Sequence, residues 1–198
     1  MPKFKASLIL GACLLLCACA QLPMLRPVSD PAQAWVHHQQ YLKQCTQWQF
    51  SGVISVQQGQ QLQNAHITWV QSGRHFVITL SGPLGLDAIS LSGQPGTVTL
   101  RKDHREYHAQ SPQTLMQDLL GWSVPIAGAV YWVRGLPMPH QAKQYQLNQY
   151  GLLAELQQQD WTVSFPQYMA VKADGLPAKL IMQRSGLKVF LVIDHWYL

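Results

Sequence analysis

The sequence predicts a mainly β domain with a helical insert: an antiparallel sheet curved about a core, with two short helices midway along it. Three observations lead there. From Gln47 to Leu100 apolar and polar residues alternate with a period of two, and Gly, Pro, Ser and Asn punctuate the runs. Over 111–136 the spacing becomes helical, and from Gln144 to Trp196 strands resume. Each strand has one apolar face, so the sheet must stack on another layer or curl on itself. Helices placed midway can then cap its open side.

The chain opens with Lys3 and Lys5, an apolar run over 6–16, and Leu16-Cys17-Ala18-Cys19. This reads as a secretory signal peptide over 1–18, and it is shorter than the ~20 apolar residues that a membrane span needs. A cysteine at the cleavage point makes a bacterial lipobox. Cys19 is therefore expected to carry a diacylglycerol and, after cleavage, an N-acyl chain. Leu10-Gly11-Ala12-Cys13 fits the same rule but leaves a shorter apolar run. Ala20 rather than Asp follows Cys19, which points to the outer membrane.

Residues 19–29, with Pro23 and Pro27, read as a tether, and 30–198 as one domain. Asp30 or Ser29 caps a first helix with Pro31 at its start and Trp35, His38, Leu42 and Cys45 on one side. Strands follow around Trp48–Val56, Ala65–Trp69, Phe76–Leu80, Ile89–Leu91 and Val98–Leu100. Ser111-Pro112 starts a second helix that ends at Gly121, and Pro125 starts a third that closes at Gly135. The last strands are expected at Gln144–Leu147, Leu152–Gln157, Trp161–Phe165, Lys179–Gln183 and Leu187–Trp196.

Without Lys3 and Lys5, 12 basic residues face 9 acidic ones, a balance of about +3 spread along the chain. Nucleic-acid binders present a clustered basic face. The densest run here, Arg101-Lys102-Asp103-His104-Arg105, contains an acid and reads as a hairpin turn. Three of the four cysteines lie in the export segment, which leaves Cys45 without an intrachain disulfide partner. There is no Gly-x-Ser-x-Gly elbow, His-Glu-x-x-His or Gly-x4-Gly-Lys-Ser/Thr, so neither an enzyme nor nucleotide use is expected. His104, Glu106 and His108 would share a strand face beside a charged turn, where solvation rather than metal binding is expected. No metal or other cofactor is expected.

Gly82-Pro83-Leu84-Gly85-Leu86 joins two amphipathic strands. Leu86 can begin the second of them, but Pro83 and Gly85 keep Leu84 from either sheet face. A leucine left in water there forgoes roughly 1.5–3 kcal/mol of burial. Either the loop folds back over the core, or Leu84 projects as an apolar finger for a membrane or a partner's cavity.

The chain resembles the LolB family along nearly all of 19–198. The resemblance rests on the lipobox, Pro83-Leu84-Gly85, Gln94-Pro95-Gly96, Leu120-Gly121-Trp122-Ser123-Val124-Pro125 and Tyr131-Trp132-Val133-Arg134-Gly135-Leu136-Pro137, in that order. It implies an incomplete antiparallel barrel with an apolar cavity and a helical lid. It also implies a protein that accepts acylated lipoproteins from a periplasmic LolA-like carrier and inserts them into the inner leaflet of the outer membrane. Leu84 would be the inserting residue, with Gly82 and Leu86 making its loop more flexible and more apolar than a polar-flanked one.

The alternation then nominates Trp48, Phe50, Ile54, Ile67, Trp69, Phe76, Ile78, Ile89 and Leu91 for the cavity wall, with Leu115, Leu119, Val130 and Trp132 on the lid. Each is plain core unless the barrel is incompletely filled. A monomer is expected. The fold cues alone would equally suit a lipocalin-like lipoprotein that binds a small hydrophobic ligand.

Overall fold

The computed structural model describes residues 25–82, 88–141, 143–172 and 174–198. The signal peptide, Cys19, and Pro83, Leu84, Gly85 and Leu86 lie outside them. Part of the expected tether is already seated on the domain: Val28 N–H donates to Gln149 O at 3.0 Å, and Leu25 lies against Gly175.

Helix α1 spans Pro31–Gln44; the Asp30 carboxylate accepts from Gln33 N–H and Pro31 sits where no N–H is needed. Trp35, His38 and Leu42 are its buried stripe. Six strands follow: β1 Gln47–Gln58, β2 Gln61–Ser72, β3 His75–Ser81, β4 Ile89–Gln94, β5 Thr97–Lys102 and β6 Arg105–Ala109. Asp103 and His104 take the left-handed conformation of a tight turn between β5 and β6, so the charged pentad is the expected hairpin. Helices α2 (Pro112–Leu120) and α3 (Ile126–Trp132) come next, and left-handed Gly121 ends α2. Strands β7 Gln144–Leu147, β8 Leu153–Gln158, β9 Trp161–Val171, β10 Asp174–Arg184 and β11 Leu187–Tyr197 complete the chain.

All strands belong to one antiparallel sheet in the order β6-β5-β4-β3-β2-β1-β11-β10-β9-β8-β7. The chain steps outward from β1 to the β6 edge, crosses the concave face as α2 and α3, and steps back from the β7 edge to β1. The edges β6 and β7 do not pair, so the barrel is incomplete, as the fold class predicts. Strands β9 and β10 run further than the expected Trp161–Phe165 and Lys179–Gln183, past Pro166 and Pro177. Both lie by irregularities in the β9–β10 pairing, where a missing N–H is tolerated. At the sheet's bend β1 shifts register against β11 between Ser51 and Gly52, and a Cβ on Gly52 would lie within 2.0 Å of the Val192 carbonyl oxygen.

Candidate functional site

Strand register sets the concave face in rows. One runs Trp196, Phe50, Trp69, Ile78, Leu91 and Leu100 across six strands; the next contains Ile67, Leu80 and Ile89. Ile54 faces Leu191, and Val189 faces Met182, in rows beyond. These last rows lie toward the end of the sheet from which the β3–β4 connection leaves.

Aromatic side chains fill the opposite end. Trp48, Phe50, Trp69 and Trp196 pack with ring centroids 5.2–6.2 Å apart, and Phe76 is buried on the same side. Under α3 the second half of the sheet is solid as well, with Trp132 against Trp161 and Leu153, Leu156, Val163 and Leu180 fully buried. What stays unfilled is a cavity of about 50 Å³, within about 610 Å³ of atom-free space that includes its mouth.

Every lining residue is apolar. Of the expected wall, Ile54, Ile67, Trp69, Ile78, Ile89 and Leu91 line the cavity. Trp48, Phe50 and Phe76 do not: they plug its far end. The lid positions are displaced too. Leu115, Leu119, Val130 and Trp132 are absent from the lining, whereas Met116 and Leu120 on α2 and Ile126, Ala129 and Val133 on or after α3 face the space. Both helices are apolar on neighbouring positions, so periodicity could not choose between Leu119 and Leu120. The Trp132 indole is drawn away by Gln158 Oε1, to which it donates at 3.1 Å.

Sequence reasoning missed Leu80, Leu100, Met182, Val189 and Leu191 as wall residues. The alternation carried the first two, while the others need the long-range pairing of β11 with β1. Trp122 and Val124, between the helices, close the roof. The Trp69 and Trp122 indole N–H groups donate to Gln71 Oε1 (3.0 Å) and Gln63 Oε1 (3.4 Å).

Arg134, which the sequence offered only as part of a motif, is the anchor of the roof. Its guanidinium donates to the carbonyls of Leu42, Cys45 and Val130, each at 3.1 Å, and lies over the rings of Trp48 and Tyr131. These carbonyls belong to the C-terminal ends of α1 and α3, where the helix dipole favours a cation. Burial lowers its pKa, while the nearby Tyr131 and Cys45 act in the opposite sense. Gln158 completes the fastening: its amide accepts from Met138 N–H and donates to Met138 O, each at 2.8 Å.

Among the described residues no cluster of His, Cys, Asp and Glu is arranged to hold a metal, and no helix is long and apolar enough to cross a membrane. His38 is buried with Nδ1 2.8 Å from Asp174 Oδ1.

The site is thus a hollow of purely apolar side chains between an open antiparallel sheet and a roof of helices. The fold agrees with that of a LolA superfamily protein from Nitrosomonas europaea, with a TM-score of 0.54 and 9% identity over 86% of this chain and 94% of that one. Residues 46–196 match the family described as "Outer membrane lipoprotein LolB". A protein named Outer-membrane lipoprotein LolB from Pseudomonas savastanoi pv. phaseolicola is 37% identical over 92% of this chain and 90% of its own length. Its namesake from Nitrosococcus oceani is 34% identical over the whole of both chains. This chain belongs to the LolB family.

Proposed function

We propose that this protein is anchored in the outer membrane through acyl groups on Cys19 and faces the periplasm. There it accepts acylated lipoproteins from a LolA-like carrier and inserts them into the membrane's inner leaflet. The observation that carries the proposal is the apolar hollow under a helical roof in a chain of the LolB family. About three long acyl chains exposed to water would cost tens of kcal/mol, at ~0.8 kcal/mol per CH₂, so each stage of transit needs an apolar host. A ligand moves along such a series only if each site binds it better than the last, and no nucleotide is then required. The closed cavity is smaller than such cargo, so acceptance entails movement of the roof. Leu84, which the sequence places between β3 and β4, is assigned the final step of disturbing the leaflet.

The test is transfer. A LolA-like carrier loaded with a triacylated lipoprotein is mixed with the chain bearing Cys19→Ala, and cargo is followed between the two and then into liposomes. Cargo should pass to this protein at stoichiometric amounts, and Leu84→Glu should accept cargo yet deliver little of it. No transfer from the carrier would favour a binding protein for a small hydrophobic ligand, which should be indifferent to Leu84→Glu.

A further inference from the structure

The inward-facing residues of β2 and β5 change character at one end of the barrel. On β2 the series Trp69, Ile67, Ala65 ends in Gln63; on β5 Val98 and Leu100 are followed by Lys102. Both series step by two, so all these side chains share the concave face. Both turn polar at the end from which the β3–β4 connection leaves, where β3 has already stopped opposite His66.

Each of the two polar residues reaches the roof. Gln63 Oε1 accepts from Trp122 Nε1 at 3.4 Å, and Lys102 Nζ donates to Leu119 O at 3.3 Å. The two bonds straddle Leu120, which lines the cavity. Both are long for their kind. By contrast, α3 is fastened by Arg134 and Gln158 at 2.8–3.1 Å. The polar ties of α2 and the segment after it are therefore longer than those of α3.

We propose that Gln63 and Lys102 form a polar collar at the cavity mouth. When the roof lifts, they exchange Trp122 and Leu119 for the ester and amide groups that join acyl chains to an acylated N-terminal cysteine. This rests on the acyl-acceptor reading above and adds a recognition site to it. Ester carbonyls are acceptors only, which Lys102 Nζ and Gln63 Nε2 can satisfy; an amide N–H can donate to Gln63 Oε1. A bare hydrocarbon chain would open the roof and leave both side chains without such partners. The collar thus selects a lipidated cysteine over a bare chain of the same length.

The test uses the chain bearing Cys19→Ala, with intrinsic tryptophan fluorescence, to which Trp69 and Trp122 of the cavity lining contribute, as the readout and two ligands: hexadecane and a tripalmitoylated cysteinyl peptide without charged side chains. Gln63→Leu and Lys102→Met should each weaken the peptide about tenfold, the scale of one hydrogen bond. Hexadecane should bind as before or more tightly, because the roof is freed, and Lys102→Arg should keep peptide affinity. Unchanged peptide affinity in both variants, or equal losses for both ligands, overturns the collar. A parent chain that binds neither ligand overturns the acyl-acceptor reading itself.

Discussion

Filling the hollow should stabilise the protein while disabling it. Ala129 is the position of choice: it lies on α3, is buried and lines the cavity, and leucine suits a helix about as well as alanine. A cavity of about 50 Å³, at ~24 cal/mol per Å³ of void, leaves about 1.2 kcal/mol to be recovered by Ala129→Leu. For a domain of this length about 1 kcal/mol moves the thermal midpoint by roughly 2–4 °C. The same side chain takes up the space into which an acyl chain would thread. Thermal unfolding should therefore show a rise of that size, while fluorescence titration with an acyl ligand and transfer from a loaded carrier both fall by tenfold or more. A stabilised variant that still takes cargo normally would show that the hollow is not the acyl site. A loss of stability of 1–3 kcal/mol, the usual result of overpacking, would show that no usable void exists there.

Two further outcomes follow from the roof and its support. Arg134→Met removes three hydrogen bonds from a charged donor, so urea unfolding should show a loss of about 3 kcal/mol, with Arg134→Lys recovering only part; a loss below about 1 kcal/mol would mean the clamp is idle. Tyr168 donates to Leu153 O at 2.8 Å, and burial pushes its phenol well above the usual value. The folded chain therefore keeps this proton while the unfolded chain loses it above about pH 10, so stability present at neutral pH falls as pH rises past that point. Tyr168→Phe should lower stability at pH 7 by about 1 kcal/mol yet flatten the alkaline decline, and parallel curves for the two chains would refute this.

Local chemistry was legible in the sequence. Asp30 and Pro31 start α1, Gly121 stops α2, and the alternation along β1 to β5 identifies the concave face residue by residue. Two kinds of information were not legible. Volume is one. Whether Phe50 plugs or lines depends on its pairing with Trp196, which lies at the far end of the chain; no local pattern reports that a cluster of four aromatic rings fills one end and leaves the other short of atoms. Buried polar fastening is the other. Arg134 and Gln158 look like surface residues in composition, and only the convergence of helix ends and the Leu136–Met138 segment on them explains why they are buried. The helical positions Leu115, Leu119, Val130 and Trp132 fail for a related reason: a short helix with apolar residues on adjacent positions has no unique buried face until its partners are known.

The division of the core into a solid half and a hollow half bears on how a receptor of the proposed kind could both hold and surrender its cargo. Under α3 the indole of Trp132, the amide of Gln158 and the guanidinium of Arg134 form a closed polar and aromatic frame. Under α2, the segment after it, and Ile126, Ala129 and Val133 of the α3 region, the lining side chains shelter one another around a void, and the α2 side of the roof is held by two long hydrogen bonds. Opening breaks two long hydrogen bonds and uncovers apolar side chains that α2 and the segment after it hold against the sheet, among them Met116, Leu120 and Trp122. A site that must open pays for opening out of its intrinsic affinity. Under the proposed function, a hollow of about 50 Å³ that must widen is a weaker host for acyl chains than a rigid, fully formed pocket of the same chemistry. Transfer through a series of hosts requires such an intermediate affinity, stronger than the carrier's and weaker than the bilayer's. In the proposed series the opposing term is apolar burial: the empty state buries its own apolar wall and the loaded state must give that burial up.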